Sequence, residues 1–386
     1  MFKNFKDVCI VAAGRSPLTA YKGPYYGMEA STLASETLTS TLSSFQINPN
    51  TIDEFYLGNI FQLNQGQNLA KQVLNKAQLP DRIVSHTVNK ICSSGMFAIT
   101  LGTMSIAQGY SDVVISGGVE IMSNAPYTYP RLLRMEGERS DSLIDDGLTD
   151  VFHKIHMGEV GERCADKYEI TKEEMDEYSK KSYRKAQEAW AKGKFNKEVF
   201  PVKGRDGMVK MDYIKPNVQF EKLKPSFREN GKITPGNAPP ISDGAAMIVL
   251  ASREKAVEMN WPVLASVLSF GHYDQESIEF PTSPAFAIQK ALKIANLNID
   301  QVDFFEINEA FAAVGIVNQR LLKFDMEKLN PYGGAVAIGH PVGASGTRII
   351  VTLINALFQE NKNIGVAGIC NGGGGGTALV IKKETH

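Results

Sequence analysis

The chain opens on an unbroken apolar run, Val8 to Ala13, stopped by Gly14 and Pro17, which predicts a strand buried on both faces. Apolar positions then recur at helical spacing through MEASTLASETLTSTLSSF (28–45). IDEFYLGNIF (52–61) reads as a strand, and QNLAKQVLNKAQL (67–79) as a helix ended before Pro80. SHTVNKIC (85–92), SGMFAITLGTMSIAQG (94–109) and DVVISGGVE (112–120) continue as strand, helix and strand. Alternation at these lengths predicts βαβ units in a mainly parallel sheet with helices on both faces. The pattern breaks over 122–240, which is rich in charge, proline and tyrosine, and it resumes with the apolar run SDGAAMIVLAS (242–252). Within the break lies one long charged segment, TKEEMDEYSKKSYRKAQEAWAKGKF (171–195). Thr171 followed by Glu174 marks its start as a capping box, and its interleaved charges predict a solvated surface helix.

The resumed half repeats the first. QVDFFEINE (301–309) matches TIDEFYLGN (51–59), placing Asp303 on Asp53. GHPVGASGTRII (339–350) matches NKICSSGMFAI (89–99), placing Ser345-Gly346 on Ser94-Gly95, and IGVAGICNGG (364–373) matches DVVISGGVE. Three matched segments in the same order predict a duplicated α/β unit with an insertion. The boundaries read as a first half over 1–121, completed by 241–262, an inserted domain over 122–240, and a second half over 263–386.

Composition narrows the function classes. The 386 residues are 43% hydrophobic and 22% charged, as in ordinary globular proteins. A formal net charge of −1 gives no electrostatic reason to expect nucleic acid or a membrane surface as partner. The N-terminal apolar run is too short for a signal peptide or a span, so a cytoplasmic protein is expected. Four scattered cysteines form no CxxC pair and no metal-ligand spacing, so no metal is expected.

One of those cysteines stands out. Cys92 follows the polar pair Asn89-Lys90 and precedes Ser93, Ser94 and Gly95, where a strand hands over to a helix. Free backbone N–H groups and the positive end of the helix dipole there predict a thiolate nucleophile. Equivalent strand ends of a duplicated fold face one seam, and three more chemically capable residues fall at such ends. They are Asn308 in EINEAFA, His340 in AVAIGHPVGASG and Cys370 in AGICNGGGGGTALVI. Ligand sites in parallel sheets gather beyond the carboxyl ends of the strands.

At these residues the sequence resembles the thiolase family. NKICSSGM is similar to its nucleophile motif, NEAFA to its asparagine motif, GGAVAIGHPVGASG to its histidine motif and CNGGGGG to its second-cysteine motif. The likeness continues through GGVEIMSNAPY, DGLTDVFHKIHMGE and AWAKGKFNKEVFPV, which resemble loop-domain segments of the short-chain enzymes. The resemblance implies an α/β thiolase fold, in which two pseudo-symmetric βαβαβαββ-type halves form a five-layer αβαβα core plus an inserted loop domain. It implies acyl transfer between acetyl-CoA, acetoacetyl-CoA and CoA, with coenzyme A a substrate rather than a cofactor and the chains assembled as a homotetramer. A broader-chain 3-ketoacyl-CoA thiolase and a degenerate acyl-CoA or lipid carrier are the alternatives.

Residue by residue, the resemblance makes Cys92 the acyl carrier, His340 the base that takes its proton, and Cys370 the acid and base at the second α-carbon. One oxyanion site would combine the His340 side chain with a water held by Asn308. The other would use the backbone N–H groups of Cys92 and Gly372, where glycine lets the backbone approach closely. Leu148, His156, Met157, Phe227 and Phe311 would surround the pantetheine arm and the acyl pocket. The competing reading of Met157 and Phe227 is loop-domain core. The sequence departs from the family pattern at Pro239-Pro240, where a pantetheine-contacting serine and a glycine are usual, and at Gly161 and Arg163, which replace alanine and asparagine.

Overall fold

The computed structural model of the chain describes residues 6–130 and 139–384. Its main sheet contains β1 (Val8–Arg15), β2 (Glu54–Gly58), β3 (Val84–Val88), β4 (Val113–Ile121), β5 (Ser242–Ser252), β6 (Ala265–Asp274), β7 (Phe304–Ile307), β8 (Ile364–Asn371) and β9 (Gly375–Lys383). The helices that matter for the site are α1 (Ala30–Ser44), α2 (Leu69–Lys76), α3 (Ser94–Ala107), α4 (Met157–Lys167), α5 (Lys172–Ala191), α6 (Ser283–Ile294), α7 (Ala312–Leu322) and α8 (Val342–Gln359).

The strand order is β7-β8-β9-β6-β1-β5-β4-β2-β3, with Thr19–Ala20 beside β5. Read outward from the central β6/β1 pair, the two sides mirror each other: β5, β4, β2, β3 on one, β9, β8, β7 on the other. The second half lacks a full outer strand, and Leu329 makes a single parallel bridge to Phe305 in its place. The repeat extends to individual hydrogen bonds. Asp53 Oδ2 accepts from the backbone N–H groups of Asp112 and Val113 at 2.9 and 3.0 Å. Asp303 Oδ2 accepts from those of Asn363 and Ile364, both at 2.9 Å.

The expectation of a mainly parallel sheet is corrected. β2 pairs in parallel with β3 and β4, and β7 with β8, but β1, β5, β6 and β9 join the sheet antiparallel. The cause is local in the second half. Between Asn371 and Gly375 the chain reverses in a tight turn with Gly373 and Gly374 at φ +85° and +94°, a conformation that favours glycine. In the first half β5 returns beside β4 only after the whole insertion.

Strand alternation sorts side chains into layers. Ile248 and Leu250 of β5 and Ala367 and Ile369 of β8 share one core with Met96, Ile99 and Ile106 of α3 and with Ile349, Ile350 and Leu353 of α8. Met247 and Val249 face the other way, onto Leu33 and Leu38 of α1 and Val73 of α2. Val366 and Cys370 face Ile288 of α6 and Val317 of α7. Helices α3 and α8 therefore form the central layer, and every residue of α8 from Val342 to Leu357 is buried. The two helices meet through glycines. A Cβ on Gly95 would lie 2.7 Å from Thr347 Oγ1 and 2.9 Å from the Gly343 carbonyl, and one on Gly346 would lie 2.4 Å from the Met96 nitrogen.

The long charged helix starts as predicted, with Thr171 Oγ1 accepting from the Glu174 N–H at 3.1 Å. Glu174 does not return the bond and instead holds Arg320. The expectation of a solvated helix is also corrected. Met175, Tyr183, Ala186 and Ala189 are buried, and Tyr178 and Ser182 reach inward to the Glu309 carboxylate at 2.7 and 3.3 Å.

Because the atoms facing Gly346 are backbone, a methyl there cannot be absorbed by a rotamer change. Gly346→Ala should destabilise the protein by about 1–3 kcal/mol, the range for overpacked cores. Urea unfolding measures it, and an unchanged midpoint would remove the glycine crossing as a constraint.

Candidate active site

Cys92, His340 and Gly372 open onto one cavity of ≈ 290 Å³, whose walls include Leu148, His156, Met157, Phe227 and Phe311. Asn308 and Cys370 do not line it: both are fully buried, Asn308 with its Nδ2 3.4 Å from the His340 ring. Cys92, His340 and Gly372 thus meet at the seam between the two halves, with Asn308 against the His340 ring and Cys370 two residues before Gly372, at the end of β8.

The Cys92 turn is built from short polar side chains. Ile91 sits at φ +48°, a left-handed conformation that a β-branched residue adopts only under constraint. Three contacts supply it. Asn89 Oδ1 accepts from the Ile91 N–H at 3.0 Å, and Ser94 Oγ accepts from the Lys90 N–H at 2.8 Å while donating to the Ile91 carbonyl at 2.6 Å. Ser93 Oγ donates to Asn371 Oδ1 at 2.8 Å, which ties the turn carrying Cys92 to the residue after Cys370.

The thiolate expected at Cys92 is not what this environment favours. Burial beside an apolar cavity pushes its pKa up to about 12, although the backbone N–H groups of Gly372 and of Cys92 itself bond the sulfur and pull the other way. α3 begins two residues later, at Ser94, and burial is the largest influence on the sulfur. The thiol rests protonated and needs a base. Cys370 is also raised well above the ordinary value, first by burial and then by its proximity to Cys92.

His340 is suited to be that base. Burial, with the Arg348 charge adding to it, lowers its pKa to about 3, so the ring is neutral. Ser345 Oγ donates to the Pro341 carbonyl at 2.9 Å and lies 2.6 Å from His340 Nδ1. Since the serine proton is committed to the carbonyl, Nδ1–H donates to Oγ, and the free lone pair is on Nε2. Asn308 Nδ2 lies 3.4 Å from both ring nitrogens, and its Oδ1 has no protein partner. Glu309 anchors the strand end that presents Asn308, accepting from Tyr178, Asn330 Nδ2 and the Val336 N–H at 2.7, 2.8 and 2.9 Å.

Around the cavity, His156 Nδ1 accepts from the Gly158 N–H at 3.0 Å and caps α4. Its ring stacks on Phe227 at 4.8 Å, and Phe227 meets Phe311 edge-on at 6.4 Å. Burial holds the His156 pKa below its ordinary value. The Leu148 carbonyl accepts from the Met157 N–H at 2.8 Å, which fixes the start of α4 against the wall. A Cβ on Gly372 would meet nothing closer than Met157 Cε at 3.5 Å and Ile91 Cγ2 at 3.7 Å. No backbone crowds this position, and glycine there leaves cavity space beside Met157. Pro239 and Pro240 line the wall, so the departure from the family pattern replaces polar groups with apolar surface in the site itself.

Two partners escaped the sequence reading. Glu120 is fully buried and accepts from Asn59 Nδ2 and the N–H groups of Ile60, Phe61 and Gly343 at 2.8, 2.9, 3.2 and 3.1 Å, with burial raising its pKa to about 8. It binds the end of β4 to the first turn of α8, just beyond His340. A lone acid closing an apolar strand was the available signal. Ser345 was noticed only as part of the repeat. Among the described residues no cluster of three or more His, Cys, Asp or Glu side chains could hold a metal ion, and no helix is long and apolar enough to cross a membrane.

A two-half α/β fold with paired cysteines, a neutral histidine and an asparagine at its seam is that of the thiolases. The family's N-terminal domain model matches residues 8–254 and its C-terminal domain model residues 261–383, and the chain belongs to this family. It is 44% identical over 394 residues to a probable acetyl-CoA acetyltransferase of Dictyostelium discoideum, covering 99% of this chain and 95% of that one. It is 41% identical over 393 residues to a cytosolic acetyl-CoA acetyltransferase of Gibberella zeae, covering 98% and 99%. The crystal structure of the Acat5 thiolase from Ascaris suum in complex with coenzyme A superposes with a TM-score of 0.94 at 38% identity, covering 98% of this chain and all of that one.

The neutral His340 has a consequence for stability. The unfolded chain takes up the imidazole proton near the ordinary value of about 6.5, whereas the folded chain does so only near 3. His340 therefore withdraws stability as pH falls from about 6.5 towards 3. Between pH 7 and 5 the wild type should lose about 2 kcal/mol more than His340→Gln. Urea unfolding of both proteins at both pH values reads the difference, and equal losses would show that the ring titrates normally in the fold.

Proposed function

We propose that the chain is an acetyl-CoA C-acetyltransferase, condensing two acetyl-CoA to acetoacetyl-CoA and CoA and running the reverse thiolysis through an acyl-cysteine. The observation that carries this reading is the pair of thiols, Cys92 half-buried on an apolar cavity and Cys370 fully buried, sharing one seam with a neutral histidine. Supporting it are the relatives named acetyl-CoA acetyltransferase and the coenzyme A complex of the Ascaris thiolase.

In condensation the Cys92 thiol gives its proton to His340 Nε2 and attacks the thioester carbonyl. CoA leaves as its thiol once it has taken that proton, and an acetyl group stays on sulfur. The N–H groups of Cys92 and Gly372 that bond the sulfur are placed to stabilise the carbonyl oxygen as it becomes an oxyanion. For the second step Cys370 gives its thiol proton to His340 and as thiolate takes an α-proton from the second acetyl-CoA; the carbanion attacks the acetyl carbonyl, and the Cys92 thiolate released takes the proton back from His340. Burial makes Cys370 a stronger base, which narrows the gap to a weakly acidic carbon. In thiolysis the same thiol enters protonated and donates to the departing carbanion. The unpartnered Asn308 Oδ1 would accept from a water that, with His340, faces the second oxygen.

Coenzyme A is here a substrate and product rather than a resident cofactor, and no metal takes part. Leu148, His156, Met157, Phe227 and Phe311 form the walls of the pantetheine and acyl site. The chain works in the cytoplasm, in keeping with the cytosolic relative, with no nucleic acid or membrane as partner. It assembles as a homotetramer, a dimer of dimers. β3 ends its sheet and exposes half of Val84, and such an edge invites pairing with a second copy.

Thiolysis of 3-ketoacyl-CoA substrates from four to sixteen carbons tests the assignment. Met157 beside Gly372 and Phe311 close the cavity, and each excess methylene at such a wall is worth ~1–3 kcal/mol. Acetoacetyl-CoA should be cleaved best, with activity falling steeply beyond about six carbons. A level rate through the sixteen-carbon substrate would point to a broad-chain thiolase instead.

A further inference from the structure

Two aromatic side chains of the cavity wall rest on one helix through glycines. A Cβ on Gly158 would lie 2.3 Å from Phe227 ring carbons, and one on Gly161 would lie 2.9 and 3.1 Å from Cδ2 and Cε2 of Phe311 and 2.6 Å from Ile233 Cδ1. Positions three apart on α4 share a face, so the rings sit side by side against bare backbone. At 161 the backbones of both neighbours are fixed. Ile233 is held at both ends, its N–H donating to Glu162 Oε1 at 2.8 Å and its carbonyl accepting from the Ser226 N–H at 2.9 Å. Phe311 has its backbone fixed by the bonds that start α7, with the Ala312 N–H on the Asn237 carbonyl at 2.9 Å and the Val314 N–H on the Phe311 carbonyl at 3.0 Å. Ile233 is fully buried and does not border the cavity, whereas the Phe311 ring does and shares that space with Cys92.

We propose that Gly161 is a specificity-determining residue: by letting Phe311 lie flush on α4 it widens the acyl end of the cavity, so that the enzyme accepts acyl groups one or two carbons larger than acetyl. This rests on the acetyltransferase reading and names its substrate range. It also accounts for the glycine where the family pattern has alanine. A methyl at 161 displaces the ring towards the acyl group, and a 3-ketoacyl-CoA with a propionyl end loses more than one with an acetyl end.

The test is the ratio of kcat/KM for thiolysis of 3-ketopentanoyl-CoA to that of acetoacetyl-CoA, measured on the full chain. Gly161→Ala should lower the ratio roughly tenfold or more, the discrimination one methylene commonly gives. Phe311→Leu, which removes the ring, should raise it. Loss of both activities by the same factor in Gly161→Ala would mean that the glycine only supports the fold, and would overturn the proposal. Should Gly161→Ala fail to fold, Phe311→Leu decides: a raised ratio supports the proposal, and an unchanged or lowered one overturns it. Calorimetric binding of propionyl-CoA against acetyl-CoA gives the same ratio without turnover. Absence of either thiolysis in the wild type, with binding that still favours the wider cavity over Gly161→Ala, would contradict the acetyltransferase reading and leave the role of Gly161 standing.

Discussion

The structure depends on the crossing of α3 and α8 through Gly95 and Gly346. Helices whose axes approach this closely leave no room for a Cβ, and both halves hang from the contact. Each helix begins beside a chemical group, Ser94 after Cys92 and Val342 after His340. Bringing the helices into contact therefore brings the thiol and the imidazole to one place without either residue having to reach. Glu120 and the Ser93–Asn371 bond fasten the same seam from its two sides.

Burial is the second consequence. At the seam between the two half-sheets, burial is the largest influence on both thiols and on the histidine, ahead of any nearby charge. Both thiols are pushed up and the histidine down, so all three rest neutral. Proton transfer between these neutral partners creates charge in an apolar medium, and the backbone N–H groups of Cys92 and Gly372 bond the sulfur where the negative charge develops. Ile91, held at positive φ by Asn89 and Ser94, shows that the turn is kept in an unfavourable backbone state to aim those groups.

The duplicated fold was legible because its markers are local. Asp53 and Asp303 repeat one hydrogen-bond device, and the small residues Ser94-Gly95 and Ser345-Gly346 repeat one packing device. The chemically capable residues were legible because glycine and short polar residues surround them where packing would choose otherwise. What stayed hidden depends on which groups fold together from afar. The inward face of α5 looks solvated until Glu309 appears opposite Tyr178 and Ser182. The charge state of Cys92 follows from the walls around it and not from the residues beside it. The antiparallel strands follow from where an insertion of over a hundred residues returns the chain, and Gly161 has meaning only once Phe311 lies on it.

The central claim is that the seam holds two thiols with different work, one carrying the acyl group and one moving a proton. Intact-mass measurement after mixing with acetyl-CoA, combined with deuterium exchange at its methyl group, separates the two. Cys92→Ala should take up no acetyl group. Cys370→Ala should take up one but lose exchange and condensation by ~10²–10⁴-fold, the loss typical of a removed acid or base. Acetylation of the Cys92→Ala protein at Cys370, or full exchange in Cys370→Ala, would contradict that division.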